Sequence, residues 1–281
     1  MGASMRPVLK YPGSKWNIAG QLSCLIPEHH SYVEPYFGSG ALLFHKPASD
    51  METVNDRDSE VVNLFRCIQK DSERLSRLVV TTPYSREVYE RQFTASPEEL
   101  YASDFQKAAG FLVRCWQGYG YRTDGSKVGW KNDVQGRERA YALRDWYRLP
   151  DWIIEATDRL RRVQIENRPA LEVIKRFDYG NVFIYLDPPY LIGTRSGSRK
   201  QYRHEMTDGE HEELLKVLVK LRAKVMVSGY ESELYNDYLT GWTKKRFKSC
   251  AEHGSPRVET VWMNYSTARQ MTIYDMAEVV G

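Results

Sequence analysis

Four consecutive residues, Asp187-Pro188-Pro189-Tyr190, combine a carboxylate, a stiff backbone and an aromatic ring. They follow Val182-Phe183-Ile184-Tyr185-Leu186, an apolar run that predicts a strand buried on both faces. A proline has no amide hydrogen for a neighbouring strand, and it pushes the residue before it into an extended conformation. The strand therefore ends at Asp187, and the carbonyls beyond it face no ladder. A planar heterocycle with an amino group could stack on Tyr190 while Asp187 and the Pro188 carbonyl hold its two amino hydrogens. That arrangement draws the nitrogen toward tetrahedral geometry and makes its lone pair a better nucleophile. Taken alone, the four residues also fit an ordinary proline turn after a strand, so the rest of the chain has to decide.

Three other stretches are spaced to position a ligand beside them. Leu9-Lys10-Tyr11-Pro12-Gly13-Ser14-Lys15-Trp16 is a tight turn with a lysine on each side, and Gly13 lets a ligand approach the backbone closely. It is not a P-loop, because the upstream glycine is absent. A helix follows, with Ile18, Leu22, Leu25 and Ile26 on one face, stopped by Pro27. Ser31 to Phe44 reads as a short strand, an acid at Glu34, a Gly38-Ser39-Gly40 turn and an apolar helix. Such a turn lets a nucleotide-type ligand meet the helix N-terminus, although it equally serves to pack a helix on a strand. Glu52 to Asp58 is a strand ending at Asn55-Asp56, where α/β nucleotide folds place an acid for ribose hydroxyls. Strand, glycine turn, helix, strand and acid together form a half-site for an adenosine-containing ligand.

The 281 residues suit one large domain, or one domain with an insertion. No run approaches the ~20 apolar residues of a membrane span, and Met1 to Met5 lacks the layout of a secretion signal. Cys24, Cys67, Cys115 and Cys250 are far apart, as expected of reduced thiols in a cytoplasmic protein rather than zinc ligands or disulfides. A net charge of +3 does not by itself argue for nucleic acid. Its distribution says more. Lys107 to Arg148 holds nine Lys or Arg against four Asp or Glu, with Trp116, Tyr119, Tyr121, Trp130, Trp146 and Tyr147 interleaved. Phosphate contact and base stacking use such residues; so does a solvated helical surface over aromatic core positions.

From Ser59 to about Leu160 the chain reads as mostly helical, with helices over 61–68, 73–80, 85–93, 97–116, 137–147 and 152–160. Between them, Gly118 to Asp133 carries four glycines and an Asp124-Gly125 turn, and reads as a β-hairpin or loop. Strand-helix alternation then resumes. It runs through a strand at 163–167, a helix at 170–177, the Asp187 strand, a helix capped by Thr207 and Glu210, a strand at 224–230 and a late strand at 258–265. The order implies a mostly parallel sheet with helices on both faces. The polar stretch Gly193 to Tyr202 is expected to be a substrate loop. His204 and His211 lack metal-site spacing and are expected at the surface or in loops.

With these residues in place, the chain resembles the Dam-like, D12-class N6-adenine-specific DNA methyltransferases over nearly its whole length. Tyr11-Pro12-Gly13-Ser14-Lys15 resembles the family's N-terminal cofactor motif and Glu34-Pro35-Tyr36-Phe37-Gly38-Ser39-Gly40 its glycine loop. Asn55-Asp56 resembles its ribose-binding acid and Asp187-Pro188-Pro189-Tyr190 its catalytic signature, in the order of the family's α group. Tyr11 stands where a tryptophan is common, and Ser14 where a second glycine is. The resemblance implies an α/β, Rossmann-like S-adenosylmethionine-dependent methyltransferase fold with a mostly parallel sheet. Residues 1–60 and 161–281 would form the catalytic domain, and 61–160 a largely helical DNA-recognition insertion.

It further implies that Tyr11, Gly13 and Lys15, with Glu34, Phe37, Gly38, Ser39 and Gly40, surround S-adenosylmethionine beside Asp187. Asp56 would take the ribose, and Asn167 would lie by the cofactor adenine. Asp187, Pro188, Pro189 and Tyr190 would hold a flipped adenine of double-stranded DNA, with no metal required. DNA contact would fall to Lys10, Arg114, Tyr119, Tyr121, Arg122, Lys127, Trp130 and Lys131, and to Arg195 and Arg199 after the catalytic motif. The implied setting is a bacterial or phage-infected cytoplasm, and the enzyme a monomer or weak dimer. A restriction endonuclease cutting the same site would be its partner where it serves restriction-modification. The same fold could act on cytosine N4 or another amino acceptor, or persist as a non-catalytic DNA-binding relic.

Overall fold

The computed structural model describes residues 5–120, 123, 125–132, 141–194, 202–250 and 256–267. Among them, seven strands form one sheet in the order β3-β2-β1-β4-β5-β7-β6. A short helix α1 (Ala19–Ser23) leads to β1 (Ser31–Glu34), α2 (Ala41–His45) and β2 (Met51–Asn55). Five helices follow: α3 (Ser59–Val80), α4 (Arg86–Thr94), α5 (Pro97–Leu100), α6 (Asp104–Gln117) and α7 (Tyr141–Leu160). Then come β3 (Val163–Glu166), α8 (Ala170–Arg176), β4 (Val182–Leu186), α9 (Asp208–Leu218), β5 (Lys224–Gly229), α10 (Glu233–Tyr238), β6 (Thr243–Cys250) and β7 (Pro256–Met263).

Strands β3, β2, β1, β4 and β5 are parallel, whereas β7 runs antiparallel to β5 and β6 antiparallel to β7. The chain leaves β1 toward β2 on one side and β4 toward β5 on the other. Strand order therefore reverses between β1 and β4, which opens a crevice at their carboxyl ends.

Every residue of β4 is buried, as its apolar run predicts. Phe183 and Tyr185 join an apolar cluster with α3, α6 and α7, while Val182, Ile184 and Leu186 join one with α8, α9 and α10. The sheet is thus covered on both faces. The larger cluster continues without a break from Val54 and Phe183 into Phe111 and Trp116 of α6 and Ile153 of α7. A buried ionic group reinforces that junction: Glu52 on β2 meets Lys46 Nζ and the two terminal guanidinium nitrogens of Arg159 from α7.

Several elements differ from the sequence reading. Helix α3 does keep the break expected between 61–68 and 73–80, at Asp71 with its non-helical φ of −163°. The helix expected over 97–116 is two, because Ser96 and Glu99 cap one turn and Ser103 caps a second helix after extended Tyr101. The helices expected over 137–147 and 152–160 are one in the described residues, α7, which runs through Pro150. Trp146, Leu149, Trp152 and Ile153 are buried on both sides of the proline, and this packing outweighs the lost backbone hydrogen bond. The helix expected over 18–26 spans only Ala19–Ser23. Strand β6 was not expected: Lys244, Lys245, Arg246 and Lys248 mask its alternation, and such charges suit an edge strand that must not recruit another. His211, expected at the surface, is fully buried on α9, with Nδ1 2.9 Å from the Tyr235 hydroxyl. Cys24, Cys67 and Cys115 form no disulfide with one another; the side chain of Cys250 lies outside the described residues.

Candidate active site

A cavity of about 200 Å³ opens at the carboxyl ends of β1, β2 and β4. Its floor is made by strand ends, because a strand that stops there turns its last side chain and its free backbone groups into the crevice. Glu34 closes β1, Asp56 follows β2 and Asp187 follows β4, and all three line the cavity with Tyr11, Gly13, Lys15, Phe37, Gly38 and Ser39.

Asp56 shapes the glycine turn. Its carboxylate accepts the Gly38 amide at 2.8 Å and the Asp58 amide at 2.8 Å, tying the end of β2 to the loop after β1. Gly38 has φ +48°, and a Cβ there would lie 3.0 Å from the Tyr11 ring. Gly40 has φ +67°, and a Cβ there would sit 2.5 Å from the Phe37 ring. Both positions combine left-handed backbone with close contact, which only glycine meets without strain. Ser39 and Ser14 hydroxyls lie 2.7 Å apart and join this turn to the N-terminal one.

Beside it stands a compact charged group. Lys15 is 4% exposed and donates to Asp187 Oδ2 at 2.9 Å and to the Gly13 carbonyl. Its ammonium lies 4.8 Å over the Tyr190 ring. Tyr190 meets the Tyr230 ring edge-on at 4.6 Å, and its hydroxyl is 2.6 Å from Glu259 Oε2 and 3.2 Å from Asp187 Oδ1.

Burial dominates the titration of these acids. It pushes the Glu34 carboxyl up to about 8, opposed by the Tyr32 hydroxyl that donates to it at 2.7 Å. It pushes Asp56 up to about 7, opposed by the amides of Asp58 and Gly38. Asp187 is likewise raised by burial, with Lys15 pulling the other way and Glu259 adding to the rise. For Lys15, burial alone would lower the pKa, but Asp187 and Glu259 outweigh it and hold the ammonium charged. Such a cleft, low in dielectric and lined by fixed acceptors, suits a reaction in which positive charge moves onto a substrate nitrogen.

A family model for D12 class N6 adenine-specific DNA methyltransferases matches residues 11–252. The chain belongs to this class. Its matched stretch contains both turns, the three strand-end acids and Asp187-Pro188-Pro189-Tyr190. The type II methyltransferase M1.LlaDCHI of Lactococcus lactis subsp. cremoris is 27% identical, over 84% of this chain and 86% of its own length. The type II methyltransferase M.MjaIII of Methanocaldococcus jannaschii is 23% identical, over 86% and 90%. A DNA N-6-adenine-methyltransferase of Escherichia phage P1 is 23% identical over 83% of this chain, but the match spans 31% of the phage protein.

The methyltransferase places its other sequence-predicted residues variously. Pro189 lines the cavity; Pro188, Tyr190 and Gly40 adjoin lining residues without being part of the lining. Asn167 is also outside the lining. Its amide donates to the Asp56 and Arg57 carbonyls and its oxygen accepts from Ser59, so it braces the loop that carries Asp56. Lys10 turns toward the insertion, 3.4 Å from Asp145 and 4.0 Å above the Trp116 ring. Arg114 points inward, to Glu60 and to the Tyr101 hydroxyl. Tyr119, Lys127 and Lys131 are exposed or half-exposed on a turn closed by the Gly118–Trp130 bridge, with Lys127 3.2 Å from Glu90. Trp130 packs on Tyr84. Tyr121, Arg122, Arg195 and Arg199 lie outside the described residues.

Sequence reading missed a strap, Tyr202 to Met206, that forms the outer wall of the cavity. The Tyr202 hydroxyl donates to the Pro12 carbonyl at 3.1 Å. Arg203 pairs with Asp58 and Glu60, and its amide donates to Thr123 Oγ1 of the insertion. It missed Glu259 as well. One signal was available there: Glu259 shares the buried face of β7 with Val261 and Met263, and a carboxylate on the core side of a strand needs a partner.

Proposed function

We propose that this adenine-specific DNA methyltransferase takes its methyl group from S-adenosylmethionine and acts on an adenine turned out of the duplex into the crevice beside Asp187. The observation that carries the reading is the convergence of two motifs at one topological switch point. A glycine turn braced by Asp56 lines a single cavity with Asp187 and Pro189 of the Asp187-Pro188-Pro189-Tyr190 loop.

The residues fit this donor. Gly38 and Ser39 face a ligand with backbone, Asp56 and Asp58 offer acceptors to ribose hydroxyls, and the Asp187 carboxylate in the cavity wall meets positive charge. When bound, S-adenosylmethionine supplies a methyl group made electrophilic by its sulfonium. The protein holds the acceptor. Asp187 and the Pro188 carbonyl accept the two amino hydrogens, and the Tyr190 ring supports the base. No side chain has to deprotonate the amino group first, because the nitrogen becomes acidic only after it is methylated. Catalysis is then chiefly orientation and hydrogen bonding. Extruding the base costs a few kcal/mol.

The insertion over 61–160 would read the DNA, with Tyr119, Tyr121, Arg122, Lys127 and Lys131 among the contacts, joined by Arg195 and Arg199 after the catalytic motif. Two relatives are named type II methyltransferases, which supports a role opposite a restriction endonuclease in the cytoplasm of a bacterium or archaeon. Transfer of label from S-adenosylmethionine to unmethylated duplex DNA, followed by digestion to nucleosides, tests the donor and acceptor together. Label in N6-methyldeoxyadenosine is expected. A protein that binds no S-adenosylmethionine would overturn the reading.

A further inference from the structure

The Tyr190 hydroxyl has one hydrogen and two carboxylate oxygens within reach, Glu259 Oε2 at 2.6 Å and Asp187 Oδ1 at 3.2 Å. The shorter contact takes the hydrogen. Asp187 needs its acceptor positions for the substrate amino group, and Oδ2 already receives Lys15. A Tyr190 hydroxyl turned toward Oδ1 would compete with the amino group for that oxygen.

We propose that Glu259 is a positioning residue for the methyl-transfer reaction: it holds the Tyr190 hydroxyl hydrogen away from Asp187, keeping Asp187 Oδ1 open to the target amino group. Glu259 suits the task by its place in the fold. It lies on β7, the antiparallel strand next to β5, and it is 7% exposed on the face shared with Val261 and Met263. Tyr230, at the end of β5, fixes the same ring from its edge. The phenol is also held neutral, since burial and the two carboxylates all push its pKa well above the ordinary value. A neutral phenol always has a hydrogen to direct, so something must direct it.

This inference rests on the reading that Asp187 accepts the target amino group. Its test is a double-mutant cycle on Glu259 and Tyr190, read as the single-turnover rate of methyl transfer to adenine in duplex DNA. Glu259→Leu removes the acceptor and releases the hydroxyl toward Asp187, so the rate should fall about 10- to 100-fold. Glu259→Gln keeps an acceptor oxygen and should recover most of the rate. In Tyr190→Phe there is no hydroxyl hydrogen to misdirect, so adding Glu259→Leu should cost nothing further. The double variant should therefore outrun Glu259→Leu alone. Should Glu259→Leu fail to fold, Glu259→Asp runs the same cycle by withdrawing the carboxylate one methylene.

Two losses that multiply would overturn the proposal, as would Glu259→Gln being as slow as Glu259→Leu, because a merely structural carboxylate predicts both. Failure of the underlying reading looks different: Asp187→Ala would then keep its turnover whatever Glu259 does.

Discussion

The catalytic edge of the sheet and the helical insertion handle polar groups in opposite ways. At the edge, acids are buried or half-buried and each is held by a fixed donor: Asp56 by two backbone amides, Glu34 by the Tyr32 hydroxyl, Asp187 by the Lys15 ammonium. In the insertion the core is apolar, built from Phe111, Trp116, Trp146 and Ile153, and much of the charge stays near water on Lys127, Lys131, Arg144 and Arg148. A buried polar network costs desolvation but fixes geometry. Solvated charge is cheaper to keep and conforms to a partner after contact. The first suits holding one small donor and one base; the second suits a long polyanion.

The comparison can be broken first where the two regions join. Glu52 is buried between Lys46 and Arg159, so Glu52→Ala leaves two cations without their carboxylate. A loss of about 3 kcal/mol is expected in denaturant unfolding; a loss below about 1 kcal/mol would mean that the apolar cluster alone couples insertion to sheet. Next comes the glycine turn. Gly38→Ala puts a Cβ at φ +48° against Tyr11, with a strain of roughly 1–2 kcal/mol. Donor affinity should therefore drop about tenfold by calorimetry while DNA affinity holds. Equal loss of both would show that the turn is not specific to the donor.

Glu34 sharpens the comparison through pH. Its folded pKa of about 8 exceeds the usual carboxylate value, so the folded protein keeps a proton that the unfolded chain has released. This group favours folding below its unfolded pKa, and the advantage is lost as pH rises from about 4.5 toward 8. Glu34→Gln should remove that decline in melts across this range; an unchanged slope would assign it elsewhere. The smallest effect belongs to the insertion. Lys131→Ala should weaken DNA binding only a few-fold and reduce the salt slope by about 1, with donor affinity unchanged. An unaltered salt slope would remove Lys131 from the phosphate contacts.

The same contrast explains what could be read from sequence. Four short motifs were legible because each needs specific residues at fixed spacing: left-handed glycines at 38 and 40, an acid at each strand end, and prolines that stop β4. The sheet was legible through the apolar runs of β4 and β5. The continuity of α7 was not, since packing of Trp146 and Trp152 carries the helix across Pro150 between its two expected pieces, and β6 was not, since its lysines hide a period of two. Glu259 and the Tyr202 strap were missed because their roles come from contacts 69 and 190 residues away along the chain. The insertion was legible only as a basic, aromatic composition, which marks a class of partner without fixing contacts; Arg114 and Lys10 share that composition yet face inward.

The most direct test of the central claim compares the protein with Asp187→Ala under single-turnover conditions, with labelled S-adenosylmethionine and unmethylated duplex DNA. The account predicts that the variant binds donor and DNA within a few-fold of normal while its N6-methyladenine formation falls by about a thousandfold. Near-normal methylation by Asp187→Ala would contradict it, and would place the chemistry outside this crevice.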